Sequence, residues 1–557
     1  MSSHVSVLRR YRLWIRYIDR WSERLLIAGL LVAALFVFTT HLGNVSLRDW
    51  DEGTVAQVAK EIWRSPSGSL TWLYPTLQGE PYLNKPPLMH VLIAFAYHLG
   101  GVNEWTSRLP GAILTAISVP FLYGIGREMF GGRSPALIAA LVYLTFMPVV
   151  RHGRLAMLDG ACLCFFLIAL WCLLRSRRDP RWALGVGIGL GLVCLTKGLL
   201  GVLLGAIALG FLAWDSPRLL TSLYLWNGIF IGGSPVLAWY GAQWIHYGDA
   251  FVGTHVMTQS LDRVWTSVEN HQGPPWYYLL ELVKYGWPWL IFLPHGVAIA
   301  LQNRTLSWAK LVLVWLGGYF LVISVMATKL PWYIMPIYPA IALATAVPLC
   351  QVWQQSSVLS NGEKPDPHYA RGWLVLSLLL AGLGWLGWGY FAFVSDPSEQ
   401  SWQFTLGLFA MTMTASSLLM VRQNRQFLAV MLWGTYLTIT CLVMSPHWVW
   451  ELAEDYPVKP VAELVQANTP PDAVIYTSHP YNRPSLNFYS DRQVMAVSEQ
   501  RLRRAWDREV NAYFLMDAQS LQRLHWGTFS VLGTNENWVL MTHFEQLPDP
   551  ESPINQI

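Results

Sequence analysis

Three carboxylates, Asp49, Asp51 and Glu52, fall within four positions of the stretch VSLRDWDEGTVAQVAKEIW at residues 45–63, in a chain whose charged residues make up only 13% of the total. A carboxylate can take a proton from an attacking hydroxyl or amine, and carboxylates in pairs can hold a cation. Basic groups recur at the edges of other apolar runs: Lys85, Arg151, His152, Arg154, Lys197, His255, Lys284 and Lys329, with a further carboxylate at Asp159. Ammonium and guanidinium groups neutralise phosphate oxygens. Plainer demands also put such residues there. Acids favour the N-terminus of a helix, and the helix expected over 54–64 carries Val55, Val58, Ala59 and Ile62 on one face. Lone lysines such as Lys197 or Lys284 snorkel. Carboxylates and cations converging on one side of a membrane, however, describe a site for an anionic, lipid-bound substrate.

The elements that would hold these groups are apolar. At 557 residues and 53% hydrophobic, the sequence excludes a soluble protein and describes a polytopic membrane protein. The run 25–42 is long enough to span a bilayer and has no small-residue cleavage site, so it reads as a retained signal anchor. Arg9, Arg10, Arg12, Arg16, Arg20 and Arg24 precede it and put the N-terminus in the cytoplasm. Hydropathy places further spans near 106–126, 135–150, 157–174, 183–197, 199–214, 219–240, 282–300, 309–326, 332–352, 373–394, 402–421 and 427–444, about thirteen in all. Basic loops alternate with this register: Arg127 and Arg133; Arg175, Arg177, Arg178 and Arg181; Arg218; Arg304 and Lys310; Lys364 and Arg371; Arg422 and Arg425. The short run 86–99 reads as an interface helix rather than a span.

On this topology the outer face of the cytoplasmic membrane carries the loop 44–105, the loops 151–156 and 241–281, and everything after about Ser445. The expected organisation is an all-α membrane domain over 1–445, with interface helices in its 44–105 loop, and a small extracytoplasmic α/β domain over 446–557. In the latter, DAVIYT, NAYFLMD and SVLG read as strands, and PVKPVAELVQAN and EQRLRRAWDRE as helices. The six cysteines, at 162, 164, 172, 194, 350 and 441, all sit in apolar runs without metal-ligand spacing and read as packing.

Five stretches together carry a resemblance: DWDEGTVAQVAKEI; YLNKPPLMHVLIAFAYHLGGVNEWTSRLPGAILTAISVPFLYGIGREMFGGRS; RHGRLAMLDGACLCFF; LTKGLLG; and TKLPWYIMPIYPAIA. In this order they resemble the bacterial relatives of dolichyl-phosphate-mannose protein mannosyltransferases, which include the aminoarabinose transferases that modify lipid A. These are GT-C glycosyltransferases, and the likeness extends over roughly the first 340 residues. It implies a GT-C membrane fold and an inverting transfer of a sugar from a polyprenyl-phosphate carrier to lipid A, another glycolipid, a protein or a polysaccharide, with no nucleic acid involved.

Residue by residue, the resemblance makes Asp51 the catalytic base or the acid that positions the acceptor, with Glu52 beside it. Asp159 of the Arg154–Asp159 pattern becomes the second acidic site residue. Lys85 of KPP becomes a donor-phosphate ligand, with Arg151, Arg154 and Lys329 as further phosphate ligands. The aminoarabinose transferases carry a glutamate before this lysine, implicated there in metal binding, where this chain has Asn84. Asp49 and Asp51 have a DxD spacing open to a divalent cation, but no cofactor is required by the sequence. The alternative reading is a transporter or flippase for a lipid-linked saccharide. It expects ionisable residues at mid-membrane in broken helices and internal repeats, whereas here the charges sit at loop edges and no repeat stands out. An acyl or O-antigen-ligase type transferase would share the lipid substrate but shows no motif.

Overall fold

The computed structural model describes residues 2–268, 271–355, 370–396, 399–449, 458–509, 512–524, 526 and 529–543, with side chains from residue 21 onward. Lys364 of the basic loops lies outside them. Each apolar run forms helix. Among the described residues, seven helices are long and apolar enough to cross a membrane: 21–39, 104–130, 307–325, 331–354, 371–393, 400–421 and 426–444. The run at 135–150 is a helix pair, Arg133–Leu144 and Met147–Arg154, bent by 59° at its break. Other expected spans are shorter helices, Asp159–Arg175, Ala183–Lys197 and Leu200–Asp215, or are interrupted, as in Tyr277–Tyr285 followed by Leu293–Gln302. The expected interface helix is Leu88–Gly100. The protein is a multi-pass membrane protein.

The described chain divides into two compact units. The first comprises residues 1–42, 83–89 and 108–449 and is helical. A close crossing joins Ala183–Lys197 to Leu223–Tyr247, and each helix carries a G-x-x-x-G: Gly187 and Gly191 on one, Gly228 and Gly232 on the other. A Cβ at Gly191 or Gly232 would run into the facing backbone. Only hydrogen at these positions lets the backbones touch, which replaces the hydrophobic drive that lipid cannot supply. Lys197 ends the first of these helices, so its position depends on this crossing.

The second unit comprises residues 43–82, 90–107 and 450–557. Apart from residues 83–89, the loop 44–105 therefore belongs to the same compact unit as the C-terminal segment. A hairpin of β1 (Thr76–Leu77) and β2 (Glu80–Pro81) precedes a five-stranded sheet of β3 (Val474–Thr477), β4 (Gln493–Ala496), β5 (Tyr513–Asp517), β6 (Phe529–Asn535) and β7 (Trp538–His543), in the order β4-β3-β5-β7-β6. β3 is parallel to β4 and β5, and β7 runs antiparallel to β5 and β6. Side chains alternate across the sheet. Ile475, Leu515 and Leu540 pack under helix Val458–Asn468, while Tyr476, Phe514, Met516 and Met541 pack under helix Glu499–Arg508. Both faces are thus covered, as parallel strands require.

Candidate functional site

In the helical unit, the chemistry gathers where helices end. Asp159 opens helix Asp159–Arg175 and is buried, and Lys197 closes helix Ala183–Lys197. The Lys197 ammonium donates to Asp159 Oδ1 at 2.5 Å. Gly198 then stops the helix with φ +63°, a left-handed backbone that favours glycine. A Cβ there would lie 3.3 Å from both His255 Nε2 and Tyr240 Oη. The Lys-Gly pair of LTKGLLG therefore places a cation at a helix end beside His255.

His255, on the helix Val252–Leu261, is buried and stacks on Phe251 at 5.1 Å. Its Nδ1 lies 3.0 Å from the Leu83 carbonyl and its Nε2 lies 2.9 Å from Tyr240 Oη. Burial is the largest influence on the ring and, with the charge of Lys85, pulls its pKa down to about 4 against the opposing pull of the Leu83 hydrogen bond. The ring is therefore neutral near pH 7, with Nδ1–H donating to Leu83 and Nε2 accepting from Tyr240. In this way His255 fixes the carbonyl two residues before Lys85.

Lys85 is half-buried. Lys85, Asp159 and Lys197 all act electrostatically on Cys162, one turn along the helix from Asp159, so the three ionisable groups share one neighbourhood. A further cation joins them. Arg263 is buried, with Nη1 donating to Tyr333 Oη and Nη2 to Gln259 Oε1, both at 2.9 Å. The Lys197 ammonium stands 6.0 Å from the Tyr333 ring centroid. Sequence reasoning named Lys85, Asp159, Lys197 and His255 and missed Arg263 and Tyr333. Tyr333 lay within the TKLPWYIMPIYPAIA stretch, whereas Arg263 had no motif to mark it.

The other expected phosphate ligands sit differently. The Arg154 guanidinium donates to the carbonyls of Val37 at 2.5 Å and Thr40 at 2.7 Å and lies over the Trp448 ring. The Lys329 ammonium donates to Ile323 at 3.0 Å and Ser324 at 2.7 Å. Both cations serve carbonyls left over at helix C-termini, where the dipole also favours positive charge. Arg151 is buried in the last turn of helix Met147–Arg154, next to His152. Lys284 pairs with Glu281 at 3.1 Å, one turn away on its own helix.

In the second unit, Asp49–Gly53 forms a single π-helical turn, with the Gly53 N–H donating to the Arg48 carbonyl at 2.7 Å, five residues back. The helix Thr54–Arg64 follows. Single π turns inserted beside α-helices are frequent at functional sites. The three carboxylates of this turn have different tasks. Asp49 is buried and receives Arg483 Nε and the Ser485 hydroxyl, each at 2.5 Å, and the Ser485 N–H at 3.3 Å. Glu52, fully buried, accepts the Arg48 N–H at 3.0 Å and so caps its own turn. Asp51 is half-buried between them. Nearby, Asp491 takes Lys60 at 2.7 Å and Arg64 at 2.6 Å. Burial alone would raise its pKa, but the hydrogen bonds from Arg64 and Lys60 outweigh this and hold it at about 2. Among the described residues no group of three or more His, Cys, Asp or Glu side chains is arranged to hold a metal ion, and both carboxylate oxygens of Asp49 accept hydrogen bonds.

The sequence of the dolichyl-phosphate-mannose-protein mannosyltransferase family matches residues 84–239. Those residues carry Lys85, Arg151, Asp159 and Lys197. The solved structure of ArnT from Cupriavidus metallidurans bound to undecaprenyl phosphate superposes with a TM-score of 0.75 at 18% identity, covering 94% of this chain and 99% of that one. The chain has the GT-C fold and is similar to the aminoarabinose transferases. An undecaprenyl phosphate-alpha-4-amino-4-deoxy-L-arabinose arabinosyl transferase from Pseudomonas fluorescens is 29% identical over 337 residues, which cover 58% of this chain and 59% of that protein. A Yersinia enterocolitica protein of the same name is 25% identical over 379 residues, 65% of this chain and 66% of its own. The chain thus spans about three-fifths of the length of the first of these relatives, 59%. Fold class and family resemblance read from the sequence agree with these likenesses.

Proposed function

We propose that this GT-C protein is an inverting glycosyltransferase that moves a sugar from a polyprenyl-phosphate carrier to an acceptor of the cell envelope. The acceptor hydroxyl or amine forms a bond to the anomeric carbon, and the bond from that carbon to the phosphate oxygen breaks. The phosphate leaves with the electron pair, and a base takes the acceptor's proton. The observation that carries this reading is the assembly of Lys85, Lys197 and Arg263 with Asp159, Tyr333 and His255 in the helical unit. An ammonium has three donors, and Lys197 gives one to Asp159 while others remain for phosphate oxygens. Lys85 is the point charge that meets the donor phosphate, with Arg151 behind it. Arg154 and Lys329 hold helix ends and act on the donor indirectly. In the second unit, Asp51 takes the acceptor's proton, and Glu52 and Asp49 keep its turn in shape.

Lipid A, another glycolipid, a protein and a polysaccharide are all compatible acceptors, because nothing in this chemistry distinguishes them. The active face is extracytoplasmic, following the alternation of basic loops. A reporter fused after Ser445 is expected to be active outside the cytoplasm and one fused near Arg178 inside; the reverse would overturn the orientation. The activity itself is tested with purified protein in lipid, given a polyprenyl-phosphate sugar and an envelope extract. Release of free polyprenyl phosphate together with a sugar-bearing acceptor identified by mass spectrometry supports the proposal. Movement of the intact lipid-linked sugar across vesicles without such release would favour a flippase instead.

A further inference from the structure

A cavity of about 670 Å³ opens in the helical unit, lined from four helices and the turn after one of them: the apolar part of Ser2–Thr39 near its start, the C-terminal turns of Glu104–Phe130 and of Asp159–Arg175 with the turn that follows it, and the first residue of Arg133–Leu144. It shares no residue with the assembly around Lys85. Its rim carries four guanidinium groups, Arg127, Arg133, Arg175 and Arg178, against two carboxylates, Glu23 and Glu128. Glu23 receives Arg127 at 2.8 Å and Arg133 at 2.6 Å; Glu128 is approached by Arg178 at 3.0 Å and Arg175 at 3.8 Å. Four cations facing two anions leave an excess of positive charge on the rim. Arg175 is held in place by aromatic rings, its guanidinium 5.1 Å from the centroid of Trp171 and 4.6 Å from that of Trp182. Orienting it costs a ligand little.

Deeper in, the lining turns apolar, with Ile27, Pro120 and Phe121. Pro120 lies seven residues before Arg127 on the same helix, roughly 10 Å along its axis. Ile27 is 38% exposed, so this wall continues onto the surface that the surrounding medium touches. The cavity is thus cationic at one end and apolar at the other, at the end of membrane helices. Arginines paired to carboxylates inside a roomy cavity differ from arginines that merely reach out toward headgroups: the carboxylates aim them, and the remaining N–H groups can fork onto phosphate oxygens.

We propose that this cavity is a binding site for an anionic phospholipid, whose phosphodiester meets Arg175 and Arg178 while its glycerol and first methylenes lie against Ile27, Pro120 and Phe121. The shared chemistry is a lipid phosphate, and the polyprenyl phosphate monoester is a second source of it. The site is independent of the proposed transfer reaction.

The test uses the full-length protein in nanodiscs of phosphatidylcholine, with native mass spectrometry measuring the apparent Kd for added phosphatidylglycerol, cardiolipin, phosphatidylcholine and polyprenyl phosphate. Phosphatidylglycerol and cardiolipin are expected to bind above the phosphatidylcholine background. Losing one guanidinium at a membrane surface weakens binding about five-fold, so Arg178→Gln is expected to cost about five-fold and Arg175→Gln with Arg178→Gln about thirty-fold. Glu128→Gln, which keeps its shape and removes an anion from the rim, is expected to tighten the same lipids. Equal affinity for phosphatidylcholine, unchanged affinity in the double variant, weakened binding in Glu128→Gln, or binding of polyprenyl phosphate alone would each overturn the proposal.

Discussion

Two buried acid–base pairs, one in each unit, look alike in a list and differ in kind. Asp49 is met by a guanidinium, a hydroxyl and a backbone N–H, so its charge is fully spent inside the fold. Asp159 is met by an ammonium that also stands beside the Tyr333 ring, in the neighbourhood of Lys85. A permanently charged, planar guanidinium suits a fixed structural tie, and an ammonium with rotatable donors suits a site that must share them with a ligand. Burial of a charge is therefore no guide to its use; what separates the two pairs is their company, since Asp49 is met on both oxygens by groups of the fold while the Asp159–Lys197 pair shares its surroundings with Lys85 and Tyr333.

That contrast can be broken most sharply at its neighbour Asp51. If Asp49 holds the turn and Asp51 works, Asp51→Asn removes basicity with little change in shape and should lower turnover by about a hundred- to ten-thousand-fold, with donor binding kept. A transfer assay beside a donor-binding measurement checks this, and near-normal turnover would remove Asp51 from the chemistry. Next in size is Lys85→Ala, which should raise the donor concentration needed by roughly ten- to a hundred-fold, the value of one charge-assisted hydrogen bond. Lys85→Arg should recover part of the loss; titrating the donor at fixed acceptor distinguishes a phosphate contact from a structural role.

Asp49→Asn sharpens the comparison from the other side. Breaking one side of a buried ion pair costs about 3–5 kcal/mol, so thermal unfolding should move down, while turnover per folded molecule falls far less than in Asp51→Asn. A larger activity loss at Asp49 than at Asp51 would reverse the assignment. The smallest expected effect is a pH dependence in the helical unit. His255 has a folded pKa of about 4 against an ordinary 6.5. The unfolded chain binds this proton first, so stability is fully present above pH 6.5 and is lost as the pH falls toward 4. His255→Gln should flatten that part of a stability–pH curve measured by thermal unfolding.

Much of the helical architecture was legible because an apolar run long enough to cross a membrane has few other structures open to it. The strands at DAVIYT, NAYFLMD and SVLG and the helices Val458–Asn468 and Glu499–Arg508 were legible from their periodicity, whereas the short helices Pro484–Ser490 and Ala518–Leu524 and the strands β4 and β7 were not, since QVMA is short and WVLMTH follows a turn within a continuous hairpin. The lysine and acid of the helical site carried motif signals. Arg263 did not, because a single arginine in a polar loop reads as solvated until a tyrosine is placed on it. The partners of Asp49 could not be found from the sequence at all: Arg483 lies 434 positions away, in a segment without any motif. The sequence likewise assigned the loop 44–105 to the membrane domain and gave no sign that residues 43–82 and 90–107 group with the C-terminal segment.

The π turn at Asp49–Gly53 has a consequence for how this stretch can change over generations. It differs from an α turn by one inserted residue, so deleting a single codon there would restore an ordinary helix and rotate everything before it by about 100° about the axis. Asp49 would swing away from Arg483 while Glu52 stayed with the helix. Surface loops usually tolerate gaps, but this one has a fixed length, and substitutions in it should be far better tolerated than single-residue deletions.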